Sequence, residues 1–513
     1  MKQTVSTKWF LFSEDEFSRE KHMPEKSLEN LMMGIETKDS RGSLNKVIEG
    51  IAFDSRKVVP GGLFAAIPGK NHNGETFIKD ALEKGAIALI AQSPLGSLSI
   101  DYNSVTGFCV EDSRKALSRV GSNFYNHPSK EINLTGITGT NGKTTLTYIL
   151  EALSIANGKK TGVIGTIDCH YSKTSIPSAM TTPESLDLNR ILRDMADGGV
   201  SDCFIEVSSH ALSQKRVFDM DFEVGIFTNL SRDHLDFHSD MEEYKNAKAK
   251  LFRENNVKAP VINIDDPAGK ELATEFKDRV ISTGINNAAD YTAEDIVLEE
   301  SGSRFTLNSP EGSKKIHTNL LGKHNVYNLL SAAAGASALG VSSDIIEEVF
   351  QKIPVIPGRF ESIDKGQNFT VLVDYAHTDD ALAKSIIAAK SFTKGKVIVV
   401  FGCGGDRDRG KRKDMGQAAL KNADFAIITS DNPRTEDPEQ IIKDIQKGIP
   451  ANADYITIVN RRDAIEYGIN KAEKNDLVLI AGKGHEDYQI VGTKKEHFDD
   501  REVAGEFLGK RGH

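Results

Sequence analysis

Thr138-Gly139-Thr140-Asn141-Gly142-Lys143-Thr144-Thr145 sets glycines, a lysine and hydroxyl groups in one short run. A glycine-rich turn ending in Gly-Lys-Thr can aim backbone N–H groups at anionic oxygens. The lysine then reaches phosphates and the hydroxyl reaches Mg²⁺. The chemistry suggested is nucleotide binding and phosphoryl transfer. The strict spacing asks for glycine where Ile137 stands; the glycines are Gly136 and Gly139 instead. The competing reading is an ordinary turn before a helix.

Other residues are of types that could join that chemistry. Glu206 ends the apolar run Cys203-Phe204-Ile205, where a carboxylate could hold Mg²⁺ or simply be a solvated strand-end acid. Ser208-Ser209-His210, Gln214 and Arg216 suit a polar anionic ligand, or Ser208 or Ser209 caps a helix. Thr228-Asn229-Leu230 leads into Asp233-His234-Leu235-Asp236-Phe237-His238. His234 and His238 could be a zinc pair. With no further soft ligand nearby and a nucleotide loop upstream, His234 on Mg²⁺ is the sharper reading. Lys245, Lys248 and Lys250 read from composition as a solvated helix face. Arg407 and Arg434 can each grip a carboxylate, while Glu486 can accept from an ammonium group. Together they would make a zwitterion pocket; singly they read as surface arginines in local ion pairs.

These residues need elements to hold them. Apolar runs at 132–137, 161–166, 203–207, 223–228 and 260–264 alternate with helical periods. The helix after the glycine turn shows Leu146, Ile149, Leu150 and Leu153 on one face. Ile353-Pro354-Val355-Ile356-Pro357-Gly358 reads as a linker. Beyond it, strands are predicted at 370–375, 396–401, 424–429, 455–459 and 476–481. Strands alternating with helices imply parallel sheets covered on both faces.

Polar clusters follow these strands: Asp374-Tyr375-Ala376-His377, Gly402 to Arg407, Asp431-Asn432-Pro433-Arg434, and Gly482-Lys483-Gly484-His485-Glu486. Ligands of open α/β sheets bind outside the carboxyl ends of strands, so two active sheet edges could face one cleft.

The expected fold class is α/β in three domains. Residues 1–111 form a small mixed α/β domain, with a charged extension over 1–28. Residues 112–357 form a parallel-sheet domain of the P-loop ATPase type, and 358–513 a Rossmann-like domain. The formal net charge of −10 argues against nucleic acid as the main partner. No apolar run is long enough for a membrane span, and Trp9-Phe10-Leu11-Phe12 is too short for a secretory leader. Four scattered cysteines, Cys109, Cys169, Cys203 and Cys403, fit a reduced cytoplasmic protein.

Gly139 to Thr145, Glu206-Val207-Ser208-Ser209-His210, Thr228-Asn229-Leu230 and Asp374-Tyr375-Ala376-His377 resemble the motifs of the Mur ligases. Members of that family use ATP to add amino acids to the peptide of the peptidoglycan precursor. The resemblance runs from about residue 45 to 505 and is strongest to the third-residue ligases. Asp431-Asn432-Pro433-Arg434 resembles the motif of those that add meso-2,6-diaminopimelate rather than lysine.

The resemblance implies ATP and two Mg²⁺ ions as cofactors, with UDP-MurNAc-L-Ala-D-Glu and diaminopimelate as substrates. A monomer is expected. By the same carry-over Gly139, Thr140, Asn141, Gly142, Lys143, Thr144, Thr145, Asn325, Arg359 and Asp374 would bind ATP. Ser55, Thr181, Thr182, Ser208, Gln214 and Arg216 would bind the UDP-dipeptide, and Lys70-Asn71-His72 occupies the matching uridine-side loop with other residue types. Arg407, Asp431, Asn432, Pro433, Arg434, Gly482 and Glu486 would form the diaminopimelate pocket. Lys143, Glu206, His234 and Lys248 would be catalytic, with Lys248 matching a lysine that relatives carbamoylate. Thr144, Glu206, His234 and carbamoylated Lys248 would be the metal ligands. A lysine-adding member or a folylpolyglutamate synthetase is the alternative within the same superfamily.

Overall fold

The computed structural model describes residues 26–69, 72–178, 180–235 and 237–511. Most of the charged extension, together with Lys70, Asn71 and Asp236, lies outside the described residues. The chain divides into two compact units, Met1–Phe124 and Tyr125–His513.

In the first unit, a five-stranded sheet runs in the order Asp39–Arg41, Thr106–Cys109, Ala88–Ala91, Leu63–Ala65, Ile51–Ala52. All its neighbours are parallel except the outermost pair, Asp39–Arg41 with Thr106–Cys109. Ser55 lies in a short helical turn capped by the Asp54 carboxylate, which accepts from Arg56 N.

The second unit carries two sheets. In the larger, the parallel strands stand in the order Thr161–Ile164, Asp202–Glu206, Asn133–Thr138, Asp221–Phe227, Asn256–Asn263, Ile281–Gly284. Asn133–Thr138 is central: the chain leaves it toward one edge and later returns to its other side. That reversal puts the end of this strand at the crevice where ligands of open sheets bind. Helix Lys143–Ala156 follows and buries Leu146, Ile149, Leu150 and Leu153 against the sheet.

Both ends of this sheet depart from the purely parallel expectation. Asp168–Tyr171 and Thr174–Pro177 add an antiparallel hairpin at one edge. Gly302–Ser309 and Gly312–Thr318 continue antiparallel from Tyr291–Glu299 at the other. These strands are only partly buried and rich in Lys, Ser, Thr and Glu. They lack the apolar runs that doubly covered parallel strands show.

The smaller sheet runs Glu361–Ser362, Thr370–Asp374, Leu477–Ala481, Val397–Phe401, Phe425–Ile428, Tyr455–Thr457. Val397, Val399 and Phe401 pack on one face and Ile398 and Val400 on the other. Burial on both faces accounts for the unbroken apolar run. The Pro/Gly stretch before this sheet is anchored: Ile353 and Ile356 are buried in the apolar core of the larger sheet. Gly358 adopts φ +64°, and a Cβ there would come within 2.0 Å of His485 N. Among the described residues, no helix is long and apolar enough to cross a membrane. All four cysteines are free and buried.

Candidate active site

The turn after Asn133–Thr138 is shaped by Gly139 and Gly142, at φ +143° and +91°. A Cβ on Gly139 would lie 1.9 Å from Thr228 Oγ1, and one on Gly142 2.5 Å from Asn328 Oδ1. Gly136 belongs to the strand instead, where Phe222 packs over it. The irregular glycine spacing thus reflects one glycine used for packing and two for the turn. Thr228 and Asn229, at the end of the neighbouring strand, brace the loop. Thr140 N donates to Asn229 O at 2.8 Å, Asn141 N to Asn229 Oδ1 at 3.1 Å, and Thr228 Oγ1 to Asn141 O at 2.7 Å. The Lys143 ammonium folds back onto Gly139 O and Thr140 O at 3.0 and 2.9 Å. It stays over the loop, where an anion would meet it.

Glu206 is buried at the end of the adjacent strand and is not a solvated acid. It accepts from Thr144 Oγ1 at 2.9 Å and from Thr166 N and Oγ1 at 2.8 and 3.1 Å. Arg359 donates to the same Thr144 hydroxyl at 3.0 Å and stacks over Tyr375, 4.6 Å from the ring centroid. Asn325 and Asp374 line the same cleft of about 550 Å³. Asp374 accepts from Phe360 N, Ala376 N and Ser385 Oγ, which fixes the turn after its strand.

Lys248 corrects the reading of a solvated lysine face. It is 1% exposed, and Nζ donates to Gly139 O at 2.8 Å. Tyr244, one helical turn earlier, sits under it with the ring centroid 4.4 Å from Nζ, and Tyr244 OH pairs with Thr140 Oγ1 at 3.2 Å. Burial, helped by the charge of Lys143, lowers the Lys248 pKa well below its ordinary value. His234 takes a left-handed backbone, φ +55°, beside Asp233. Its pKa is lowered to about 4, chiefly by burial, so the imidazole is neutral near pH 7. His238 is buried and pairs through Nε2 with Ser209 Oγ at 3.0 Å, which does not favour the zinc pair.

Among the described residues no three His, Cys, Asp or Glu side chains converge as a protein cage for a metal. A hydroxyl, a carboxylate and a neutral imidazole around a phosphate loop suit Mg²⁺, which takes few protein ligands and completes its shell with phosphates and water. The donor set therefore fits the expected ion.

The residues expected around the UDP-dipeptide divide between the units. Ser55 lies in the first. Thr181, Thr182, Ser208, Gln214 and Arg216 converge in the second. Thr182 Oγ1 donates to Glu206 O at 2.7 Å and accepts from Ser208 N at 3.1 Å. Arg216 donates to Thr182 O at 2.7 Å and Gln214 Oε1 at 2.6 Å, and pairs with Glu184 at 3.1 Å. Thr181 Oγ1 meets Thr166 Oγ1 at 3.1 Å, which links this group to Glu206. Ser208 is also a helix cap, accepting from Ala211 N at 3.2 Å.

A second cleft, about 980 Å³, is lined by Arg407, Asp431, Asn432, Arg434, Gly482 and Glu486. Pro433 does not line it; its carbonyl packs against Gly405, where a Cβ would lie 1.9 Å from Pro433 O. Arg407 is exposed, whereas Arg434 is oriented at φ +51° and donates to Gly405 O at 2.8 Å. Gly482, at φ +117°, leaves room for Asp431, whose Oδ2 would lie 2.7 Å from a Cβ. The Glu486 pKa is raised, by burial first and then by Asp431, with Lys483, Asn432 and Arg434 opposing. Asp233, His234, Tyr375 and His377 line both clefts, so phosphate loop and arginine-lined pocket open onto common ground.

Several participants escaped sequence reasoning. Thr166 and Tyr244 act by support, and only the spacing of Tyr244 four residues before Lys248 hints at it. Lys483 stands inside the polar run Gly482 to Glu486, where nothing in its spacing singles it out. Arg359 was expected from the resemblance, but its contact with Thr144 spans 215 residues and no local pattern reveals it.

Family comparisons agree with this geometry. Three Mur ligase models match in succession: the family's catalytic domain over 47–125, its middle domain over 137–336 and its glutamate ligase domain over 358–484. A relative from Geobacillus thermodenitrificans, named UDP-N-acetylmuramoyl-L-alanyl-D-glutamate–2,6-diaminopimelate ligase, is 46% identical over 90% of this chain and 94% of its own length. The Clostridioides difficile protein of the same name is 44% identical over 94% and 99%. A solved structure with that name is 34% identical with TM-score 0.69, covering 95% of this chain and all of the other. With three successive domains matched and this identity over nearly its full length, the chain belongs to the Mur ligase family.

Proposed function

We propose that this protein is an ATP-dependent ligase that joins meso-2,6-diaminopimelate to UDP-MurNAc-L-Ala-D-Glu. The observation that carries the reading is the meeting of two clefts, one floored by the Lys143 loop and one lined by Arg407, Arg434 and Glu486. Residues 1–111 would serve the UDP end, 112–357 ATP, and 358–513 the incoming amino acid. A cytoplasmic location follows from those substrates.

The D-Glu side-chain carboxylate attacks the γ-phosphorus of ATP, ADP leaves, and an acyl phosphate forms. The neutral amine of diaminopimelate then attacks the acyl carbon, phosphate departs with the electron pair of the broken C–O bond, and the nitrogen releases a proton to give the amide. No protein nucleophile is needed; the residues position reactants and stabilise charge. Lys143 faces the transferring phosphoryl group. Arg359, which donates to the Thr144 hydroxyl, would supply a second cation beside the phosphates. Thr182, Ser208 and Arg216 hold the peptide end of the precursor near Glu206. Thr144, Glu206, His234 and carbamoylated Lys248 would hold two Mg²⁺ ions, whose chemistry is to neutralise charge on the phosphates. Burial favours the neutral Lys248 amine, the form that adds CO2 to give a carbamate and a proton. The Pro/Gly linker at 353–358 would act as the hinge on which residues 358–513 close over the cleft and exclude water.

Diaminopimelate differs from lysine by one carboxylate, for which Arg434 is the partner and Asn432 an added donor. A lysine would leave that guanidinium desolvated without its anion, at a cost of about 2–5 kcal/mol. This corresponds to roughly 30-fold to several-thousand-fold discrimination in kcat/KM. An assay with diaminopimelate, lysine and ornithine checks it. Arg434→Ala should lose diaminopimelate affinity and much of the preference, with ATP and UDP-dipeptide binding near native. Equal use of lysine by the native chain would overturn the amino-acid assignment but not the ligase reading. Full selectivity in Arg434→Ala would move the discriminating role to Arg407.

A further inference from the structure

Lys483 is wholly buried beside the arginine-lined cleft, and the reaction as described makes no use of it. Its Nζ donates to Asn432 Oδ1 at 3.0 Å and to Tyr488 O at 2.6 Å. Asp431 and Glu486 carboxylate oxygens stand 3.8 and 3.7 Å away. Asn432 Oδ1 also accepts from Ile490 N at 3.0 Å. An ammonium and a backbone N–H can only donate, so the amide atom facing both must be oxygen. The amide nitrogen is thereby turned to Glu486 Oε2, at 3.0 Å. One of its N–H bonds is used there, the other has no acceptor among the described hydrogen bonds, and Asn432 lines the cleft.

The strand Tyr488–Val491 completes the frame. Gln489 Nε2 donates to Asp431 O at 2.6 Å, Arg434 N to Ile490 O at 3.0 Å, and Gly492 N to Arg434 O at 2.7 Å. The loop that carries Asn432 and Arg434 is thus pinned to this strand at several points. Lys483 is the charged link in that frame.

We propose that Lys483 is a positioning residue of the amino-acid pocket: its buried ammonium locks the Asn432 amide with N–H toward Glu486 and the ligand, and supplies the counter-charge for Asp431 and Glu486. The proposal rests on the reading of this cleft as the amino-acid site. It adds that a group out of ligand reach sets the donor pattern and charge there.

The groups facing Glu486 are Asp431 and Arg434 from the strand-end loop, Tyr375 from the loop after Asp374, Tyr488 from the strand Tyr488–Val491, Arg461 from the helix Arg461–Lys471, and Lys483. Lys483→Met keeps length and removes charge. It should raise KM for diaminopimelate about 30-fold or more, on the scale of a lost buried charge pair. Neither kcat nor KM for ATP and UDP-dipeptide should change by more than about threefold, because those contacts lie elsewhere. The acid limb of the amino-acid KM profile should move to higher pH, since Glu486 without its neighbouring cation binds protons more readily. A folded Lys483→Met enzyme with native KM and an unmoved acid limb overturns the proposal. So does a loss spread evenly over kcat and all three substrates, the mark of a merely structural role.

Asn432→Asp tests the amide orientation independently, and decides the matter if Lys483→Met does not fold. It keeps an acceptor toward Lys483 and Ile490 but replaces the donor toward Glu486 with a second acceptor. The expected result is a comparable rise in the KM for diaminopimelate; near-native affinity overturns the proposal. The native amino-acid panel reads which amino acid is used, so its failure is separable from that of Lys483.

Discussion

Lys143→Ala should turn over at least about 10³-fold more slowly than the native chain, the scale found when a charge-stabilising group is removed from a phosphoryl-transfer site. Lys143 is held over the phosphate loop by Gly139 O and Thr140 O alone among the described hydrogen bonds. Those carbonyls are weak partners for a cation whose pKa burial already lowers. A transferring phosphoryl group is a far stronger one. The loss should fall mainly on kcat, since the interaction strengthens as charge develops. Steady-state phosphate release with all substrates saturating is the measurement. Turnover within tenfold of native would remove Lys143 from the role given to it.

Lys248→Ala should be nearly inactive, with a loss of about 10²–10³-fold, as expected when charge stabilisation at the phosphates is weakened. Its burial sets Lys248 apart from a surface lysine. A solvated lysine costs nothing to keep charged, whereas a fully buried one without a carboxylate partner is destabilised as the ammonium. Formate or acetate added to the alanine variant should restore part of the activity by supplying the missing anionic oxygen. The native protein under ¹³CO2 should show a carbamate resonance that Lys248→Ala lacks. An alanine variant within tenfold of native, together with a free amine in the native protein, would contradict the assignment.

The glycine loop was legible because its shape depends on local chain geometry: a strand, a turn that only glycine can make, then a helix N-terminus. Glu206 and Asn229 were legible by position, at the ends of strands that the apolar runs already marked. The same rule located the four clusters around the second cleft. Lys248 was not legible from composition, since its neighbours Lys245 and Lys250 keep solvent contact and the helix reads as polar. What buries it is the packing of that helix against the glycine turn, a tertiary contact without a sequence period. The antiparallel edges were missed because edge strands bury one face or less and mix polar with apolar residues. Lys483 was hidden by the opposite effect, a cluster so rich in polar residues that its one wholly buried cation did not stand out.

The central claim is that ATP activates the precursor's carboxylate as an acyl phosphate before the amine attacks. Transfer of ¹⁸O tests this directly. UDP-MurNAc-L-Ala-D-Glu labelled in its side-chain carboxylate is turned over with ATP and diaminopimelate, and the released phosphate is analysed by mass. One ¹⁸O atom per phosphate is expected, carried over when the acyl–oxygen bond breaks, with phosphate and tripeptide formed in equal amounts. Phosphate free of label, or phosphate released equally well without diaminopimelate, would contradict the account.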